Sequence, residues 1–318
     1  MIDRIKIMAN DFSPEFLLNN YHWRETPIEN EPFKLGQISY LVNKSRLFRL
    51  RMLLTENLKT GKYSLSIDGS IRKWYFGKNS RSDLTFTEFY DCIEVLGRKL
   101  GLKKNEIWKV FKVTQLEIGV TLMLKALSND VLDCFVRCRN AKIDRRYETT
   151  LNFNFGNYSL KMYDKFIEMN QNKIWSKKMK VVLDKYLMLR FEINVDKMSG
   201  TTLRRKFDTL ELIKTDWNKL PQMLHDYVDK IEFVDLLSQE RKLERATGID
   251  FYNSLCYSEM KSRGIHKTIM DFNETVVSNN KSKEFRKLMS IYKSNITSER
   301  DYKGEIMLGL TKKTARLI

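Results

Sequence analysis

A tyrosine between two lysines on one strand face, matched by glutamates and an arginine on two other strands, is the set in this chain best suited to chemistry. The central segment is Tyr158-Ser-Leu-Lys161-Met-Tyr163-Asp-Lys165, followed by Glu168. Val113–Val120 carries Gln115 and Glu117, and Met188–Val195 carries Arg190, Glu192 and Asn194. Alternate residues of a strand share a face. Glu117, Lys161, Tyr163, Lys165, Arg190 and Glu192 therefore fall on one side, and Leu116, Ile118, Leu160, Met162, Phe191 and Ile193 on the other. If the three strands are sheet neighbours, a hydroxyl, carboxylates and cations meet away from the core. Phosphoryl transfer uses such a set: a nucleophile, acidic metal ligands and basic phosphate holders. A tyrosine hydroxyl has a pKa of about 10, so it needs a nearby cation to act near neutral pH. Lys165 and a carboxylate-held metal could supply one.

The same residues admit plainer roles. A strand tyrosine commonly packs its ring and leaves its hydroxyl at the surface. Glu117 and Glu192 could form cross-strand ion pairs with Arg190 or Lys165, and Glu168 could be an exposed acid in a first helical turn. The flanking of Tyr163 by Lys161 and Lys165 argues against a packing row.

The rest of the composition narrows the partners. The chain has 57 Lys and Arg against 40 acids, a net charge of +17. That excess implies a polyanionic partner, most simply nucleic acid. The three histidines, His22, His225 and His266, are isolated, and of the four cysteines only Cys134 and Cys138 are close in sequence. A metal would be held mainly by carboxylates, which favours Mg²⁺ or Mn²⁺ over zinc. No apolar run is long enough to span a bilayer, and Met1-Ile-Asp-Arg-Ile-Lys-Ile lacks the apolar core of a signal peptide. The expected location is the cytoplasm, with no membrane partner.

The elements that must position these residues read as an α+β body. Residues 2–7 alternate like an opening strand. Asp68-Gly69, between alternating runs in Tyr63–Phe76, predicts a hairpin turn. Thr85-Phe-Thr-Glu88 reads as a capping box for a helix ending at Gly101. A further helix is expected over about Ser128–Arg139, and strand over Arg145–Phe155, turning at Gly156-Asn157 into the tyrosine strand. Phe166–Lys185 reads as basic and helical. The expected architecture is a largely antiparallel central sheet with helices on one face. After Gly200 amphipathic patterns dominate: Thr202–Lys214, Leu220–Ala246, Asp250–Arg263, Lys267–Val277 and Lys281–Lys293. A loose boundary near Gly200 divides residues 1–200, which hold the polar rows, from 201–318, a helical region for DNA binding or structure. Within the latter, Asn253–Phe272, broken at Gly264, reads as a helical hairpin or a helix-turn-helix.

The chain also resembles a known family. Tyr163-Asp-Lys165-Phe-Ile-Glu168 is similar to the Tyr-x-Lys-x-x-Glu element of the gene II replication initiators of filamentous phages and related phage or plasmid proteins. Leu189-Arg190-Phe191-Glu192 is similar to their Arg-Phe-Glu strand, and Leu116-Glu117 to an Arg-x-Asp or Arg-x-Glu strand. The opening Met-Ile-Asp and Asp68-Gly69-Ser70 also resemble that group. The likeness spans roughly residues 1–200. It implies a rolling-circle initiator that nicks one strand of a duplex origin, keeps the 5′ phosphate on a tyrosine and frees a 3′ hydroxyl to prime synthesis. By position, Tyr163 is the implied nucleophile, and Glu117, Glu168 and Glu192 the implied metal ligands. Lys165 and Arg190 would hold the scissile phosphate. Gln115 stands where the family's arginine is expected.

Exchanging a phosphodiester for a phosphotyrosine conserves a phosphoester bond, so no nucleotide cofactor is needed. No Gly-x-x-x-x-Gly-Lys-Ser/Thr loop is present, so strand separation would come from supercoiling or a host helicase, and synthesis from a host polymerase. Two rival readings stand beside this one: a relaxase of a mobilisable element, and a non-catalytic DNA-binding protein on the same scaffold.

Overall fold

A computed structural model describes residues 1–27, 34–77, 82–125, 129–147, 149–171, 186–241, 246–297 and 300–318. Its first eleven strands are β1 (Ile2–Asn10), β2 (Arg24–Thr26), β3 (Lys34–Leu41), β4 (Leu50–Asn57), β5 (Lys62–Ser70), β6 (Lys112–Lys125), β7 (Phe135–Cys138), β8 (Lys142–Tyr147), β9 (Thr150–Asn154), β10 (Tyr158–Asp164) and β11 (Tyr186–Val195). All except β7 join one sheet in the order β2-β3-β4-β5-β1-β6-β11-β10-β9-β8. Its described pairings are all antiparallel. The fold is thus α+β as expected, and the three strands carrying the polar rows, β6, β11 and β10, are neighbours.

Alternation gives this sheet its two faces. Leu116, Ile118, Val120 and Leu122 of β6, Leu160 and Met162 of β10, and Leu189, Phe191, Ile193 and Val195 of β11 are all buried in one core. Each such side chain contributes about 1.5–3 kcal/mol on burial. The helices in the first 200 residues are α1 (Glu15–Asn20), α2 (Ile71–Phe76), α3 (Phe86–Lys99), α4 (Glu106–Val110) and α5 (Lys165–Gln171). Helix α3 opens with the expected capping box, Thr85 and Glu88 each bonding the other's backbone N–H. It buries Phe89, Ile93 and Leu96 at helical spacing, and Gly101, at φ +77°, follows its end.

After Gly200 come α6 (Arg204–Phe207), α7 (Leu210–Thr215), α8 (Lys219–Asp229), α9 (Gly248–Arg263), α10 (Ile265–Thr275), α11 (Lys281–Ser294) and α12 (Tyr302–Thr314). This region is mainly helical, and it shares the main core: Leu210, Trp217, Leu224, Ile306, Leu310 and Leu317 belong to the same buried cluster as the sheet. Gly309 of α12 lies against Leu122 and Leu124 of β6. A second, smaller core joins Tyr257 and Met260 of α9, Ile265 and Ile269 of α10, and Phe285 and Met289 of α11. Among the described residues no helix is long and apolar enough to cross a membrane.

Three local expectations are corrected. Asp68-Gly69 is no hairpin turn: it lies inside β5, Gly69 opposite Ile5 and Asp68 opposite Lys6. Gly69 has φ +150°, and a Cβ there would meet Leu50 Cδ2 at 2.8 Å. The dipeptide makes a backbone bend that delivers Ser70 as the side-chain cap of α2, and the chain reverses instead at Leu58–Gly61, between β4 and β5. The helix expected over Ser128–Arg139 is a 3₁₀ turn, Asn129–Cys134, followed by β7. The long pattern Leu220–Ala246 stops at Asp229. The chain then forms β12 (Ile231–Phe233), paired with β7, and β13 (Gln239–Glu240), paired with β14 (Ile296–Thr297). Of the helical stretch expected over Phe166–Lys185, α5 accounts for residues up to Gln171; residues 172–185 lie outside the described ones.

Candidate active site

Tyr163 of β10 stands opposite Arg190 of β11, and Lys161 opposite Glu192. On the other side of β11, Arg190 faces Thr121, Glu192 faces Gly119, and Asn194 faces Glu117 of β6. The Tyr163 hydroxyl donates to Glu192 Oε1 at 2.8 Å and accepts from Lys165 Nζ at 3.5 Å. Lys161 Nζ lies 4.7 Å from the Tyr163 ring centre. Lys165 opens α5 and pairs with Glu168, one helical turn on, at 2.5 Å. The tyrosine is 7% exposed, so it is not a surface packer with a free hydroxyl. Burial first, and then the charge of Glu192, raises the Tyr163 pKa above its ordinary value. Burial lowers that of Lys165, against the opposing pull of Glu168.

Arg190 organises the carboxylates. It is 1% exposed and bonds Glu192 at 2.5 Å, Asp83 at 2.9 Å, Asp3 at 3.0 Å and Thr121 Oγ1 at 3.2 Å. Glu117 comes to 4.0 Å. Burying a guanidinium costs several kcal/mol, which only full satisfaction of its donors offsets. Its planar fork reaches several acids at once, which a lysine could not do. Gly119 makes the room: a Cβ there would meet the Phe191 carbonyl at 2.8 Å, Glu192 Cγ at 2.9 Å and Arg190 Nη2 at 3.0 Å.

Asp3 reaches the site through a β-bulge. Ile2 pairs with Ile118 and Ile5 with Leu116, so Asp3 and Arg4 together span the single step that Glu117 occupies on β6. A bulge re-aims a side chain; here it turns Asp3 out of the apolar row of Ile5 and Ile7. Arg72 of α2 then holds Asp3 at 2.7 Å, and Ser70 donates to it as well. Asp83, in the loop before α3, accepts from the Thr121 backbone N–H and pairs with Lys313 of α12 at 3.2 Å.

Carboxylate oxygens of Asp3, Glu117 and Glu192 lie within 4.8 Å of one another. Glu168, the third ligand expected from sequence, is not in this trio; it sits with Lys165 across the same cleft. The trio fits a hard divalent cation. Its donors are all oxygen. Arg72, Arg190 and Lys313 pair with acids of this cluster, and Lys161 and the Met1 amine add positive charge beside Glu192 and Asp83. Burial, then Glu192 and Asp3, push the Glu117 carboxyl up to about 8. Burial works the same way on Glu192 and Asp83, but the surrounding cations, Arg190 foremost, with Lys161 for Glu192 and Lys313 for Asp83, hold both below the usual carboxylate range.

Around this centre lies a cleft of about 420 Å³. Lys161 and Lys165 line it as the sequence suggested, together with Arg4, Arg49, Arg51 and Lys73, which were not singled out there as site residues. Asp3 and Ser70 were visible only as parts of family-like motifs, and Asp83 and Arg72 carried no signal. No cysteine lines the cleft: Cys92, Cys134 and Cys138 are buried, and burial raises the Cys134 and Cys138 thiols to about 12 and 11.

Compared with known proteins, residues 35–219 match the family described as the N-terminal part of the gene II-type phage replication-associated protein. No curated protein and no solved structure matches the chain.

Proposed function

The chain belongs to the gene II-type family of phage replication-associated proteins, and from that premise we propose that it starts rolling-circle replication by nicking one DNA strand. The observation that carries this reading is a buried tyrosine hydroxyl, 2.8 Å from a glutamate, in a cleft that joins three clustered carboxylates to a rim of six Arg and Lys side chains. A cluster of acids alone would repel DNA. A basic rim alone would bind it without cutting.

In the proposed reaction the Tyr163 oxygen attacks the scissile phosphorus and its proton passes to Glu192. The bond from phosphorus to the 3′ oxygen breaks as the tyrosyl phosphoester forms, and the 3′ oxygen takes a proton from solvent. One phosphoester is lost and one gained, so the step is reversible and can rejoin strands. Lys165 stabilises the developing phenolate, and Lys161, Arg4 and Lys73 hold the flanking phosphates. Glu117, Glu192 and Asp3 would hold Mg²⁺ or Mn²⁺, which supplies positive charge for the phosphate oxygens in the transition state. Arg190 has its donors engaged by acids, which favours a positioning role over direct contact with DNA. Glu168 keeps Lys165 in place. The protein would act in the cytoplasm on a replication origin, with a host helicase and polymerase completing the cycle.

The test is incubation with an oligonucleotide spanning the nick site. Wild-type protein should form a covalent adduct through Tyr163, and Tyr163→Phe should bind the oligonucleotide but form none. Cleavage by the variant near the wild-type rate would end the nucleophile assignment.

A further inference from the structure

We infer that the groove leading from the tyrosine cleft across β11, β6 and β1 carries one arm of the cut strand, as single-stranded DNA, a proposal that rests on the function above. The groove is built from three contiguous depressions. The tyrosine cleft shares Arg4, Glu117, Lys161 and Glu192 with a second hollow of about 320 Å³. The second shares Gln115 and Asp196 with a third, also about 320 Å³. The third is walled by Lys6 of β1, Lys112 of β6, Lys197, and Arg204 of α6. Two acids accompany these four cations: Asp196, and Asp208, which sits 3.8 Å from Arg204.

The lining between the cations suits unpaired bases. Gln115, Ser159 and Asn194 present amide and hydroxyl groups in the second hollow. Met8 and Met198 present apolar surface in the third. Asn194 Oδ1 is a buried acceptor with no hydrogen-bond partner among the described residues. Single strands are bound by cations that track phosphates and by surfaces that receive bases, whereas a duplex would show only phosphates to this lining. The path crosses three strand intervals from Lys161 on β10 to Lys6 on β1, roughly 14 Å at ordinary sheet spacing. It ends against residues beyond Gly200, so Arg204 would touch the substrate of the chemistry.

The test uses the full chain carrying Lys6→Ala, Lys112→Ala, Lys197→Ala and Arg204→Ala together. Oligothymidylates and nick-site oligonucleotides, lengthened one nucleotide at a time on either side, are titrated by fluorescence anisotropy. Wild-type affinity should rise with length on one side of the nick. The variant should bind the shortest nick-site oligonucleotide within about twofold of wild type but lose that gain. Its log–log salt slope on the long oligonucleotide should be shallower by about 3, near 0.7 per lost phosphate contact on a single strand. An unchanged melting temperature controls for folding. Should the fourfold variant misfold, the exposed pair Lys112→Ala and Lys197→Ala should remove about half the gain. A variant that keeps the full length dependence overturns the inference. So does one that loses affinity equally for short oligonucleotides and for duplex. If wild-type protein gains affinity with oligothymidylate length, the fourfold variant loses that gain, and wild-type protein never cleaves the nick-site oligonucleotides, the nicking reading fails and the groove stands.

Discussion

Arg190 is the residue on which the site's geometry depends. It contacts Glu192, Asp83 and Asp3 from a fully buried position, so truncating it leaves Glu192 and Asp83 without their main counter-charge and Asp3 with Arg72 alone. Arg190→Ala should destabilise the protein by about 3–5 kcal/mol, the usual penalty for breaking a buried ion pair. Denaturant unfolding measures this; a loss under about 1 kcal/mol would mean that the acids are not held as described. Glu117 gives a prediction with a defined sign. Its pKa rises from 4.5 in the unfolded chain to about 8 when folded without metal. The folded protein therefore keeps a proton that the unfolded chain releases. That contribution to stability is complete below 4.5 and is lost as pH rises toward about 8. Asp83, with its lowered pKa, works oppositely and loses its contribution in acid. Glu117→Gln should hence raise the melting temperature of metal-free protein at pH 8 but hardly at pH 4. Mg²⁺ should stabilise the wild type at pH 8 far more than the variant. Equal Mg²⁺ stabilisation of both would remove Glu117 from the metal site.

At the scale of elements, the site stands on three strands and two irregularities. Gly119 is the bare position over which Arg190 and Glu192 pass. Gly119→Ala should cost about 1–3 kcal/mol by overpacking and abolish nicking, whereas Gly248→Ala, at the start of α9 with open space around it, should spare both stability and chemistry. Thermal melts and cleavage assays on the pair check this; full activity in Gly119→Ala would contradict the packing. The rows on β10, β11 and the part of β6 from Gln115 onward were legible from sequence because polar and apolar residues alternate there; before it, a register shift puts Val113 in the core despite its parity with Glu117. Asp3 was not legible by that rule. A bulge between Ile2 and Ile5 breaks the alternation, and parity alone would bury it beside Ile5 and Ile7. Asp83 and Arg72 come from a loop and a short helix that only tertiary folding brings to β11. Arg190 was read as a phosphate holder from the family likeness alone; nothing local announces its three buried acidic partners. Asp68-Gly69 misled for another reason. Glycine at positive φ serves an in-strand bend as well as a hairpin turn, and the choice was made by pairing with β1.

For the whole molecule, the net charge of +17 and the basic rim around the cleft predict strong salt dependence. DNA binding should show a log–log slope of roughly −4 or steeper, because several phosphates lose their counterions; a flat response would separate the charge from DNA binding. The amphipathic patterns after Gly200 were legible as helices. Their place in the fold was not, because α12 packs on β6 through contacts far apart in sequence. The core is continuous from Ile2 to Leu317, so a chain ended near Gly200 would expose Leu122 and Leu124 and should lose cooperative unfolding. The decisive measurement is to incubate full-length protein with Mg²⁺ and supercoiled DNA carrying its own origin, then map the protein-linked 5′ ends by mass spectrometry. The predicted result is a nicked circle with its 5′ phosphate on Tyr163, and no linkage in Tyr163→Phe. A linkage to another residue, or undiminished nicking by Tyr163→Phe, would contradict it.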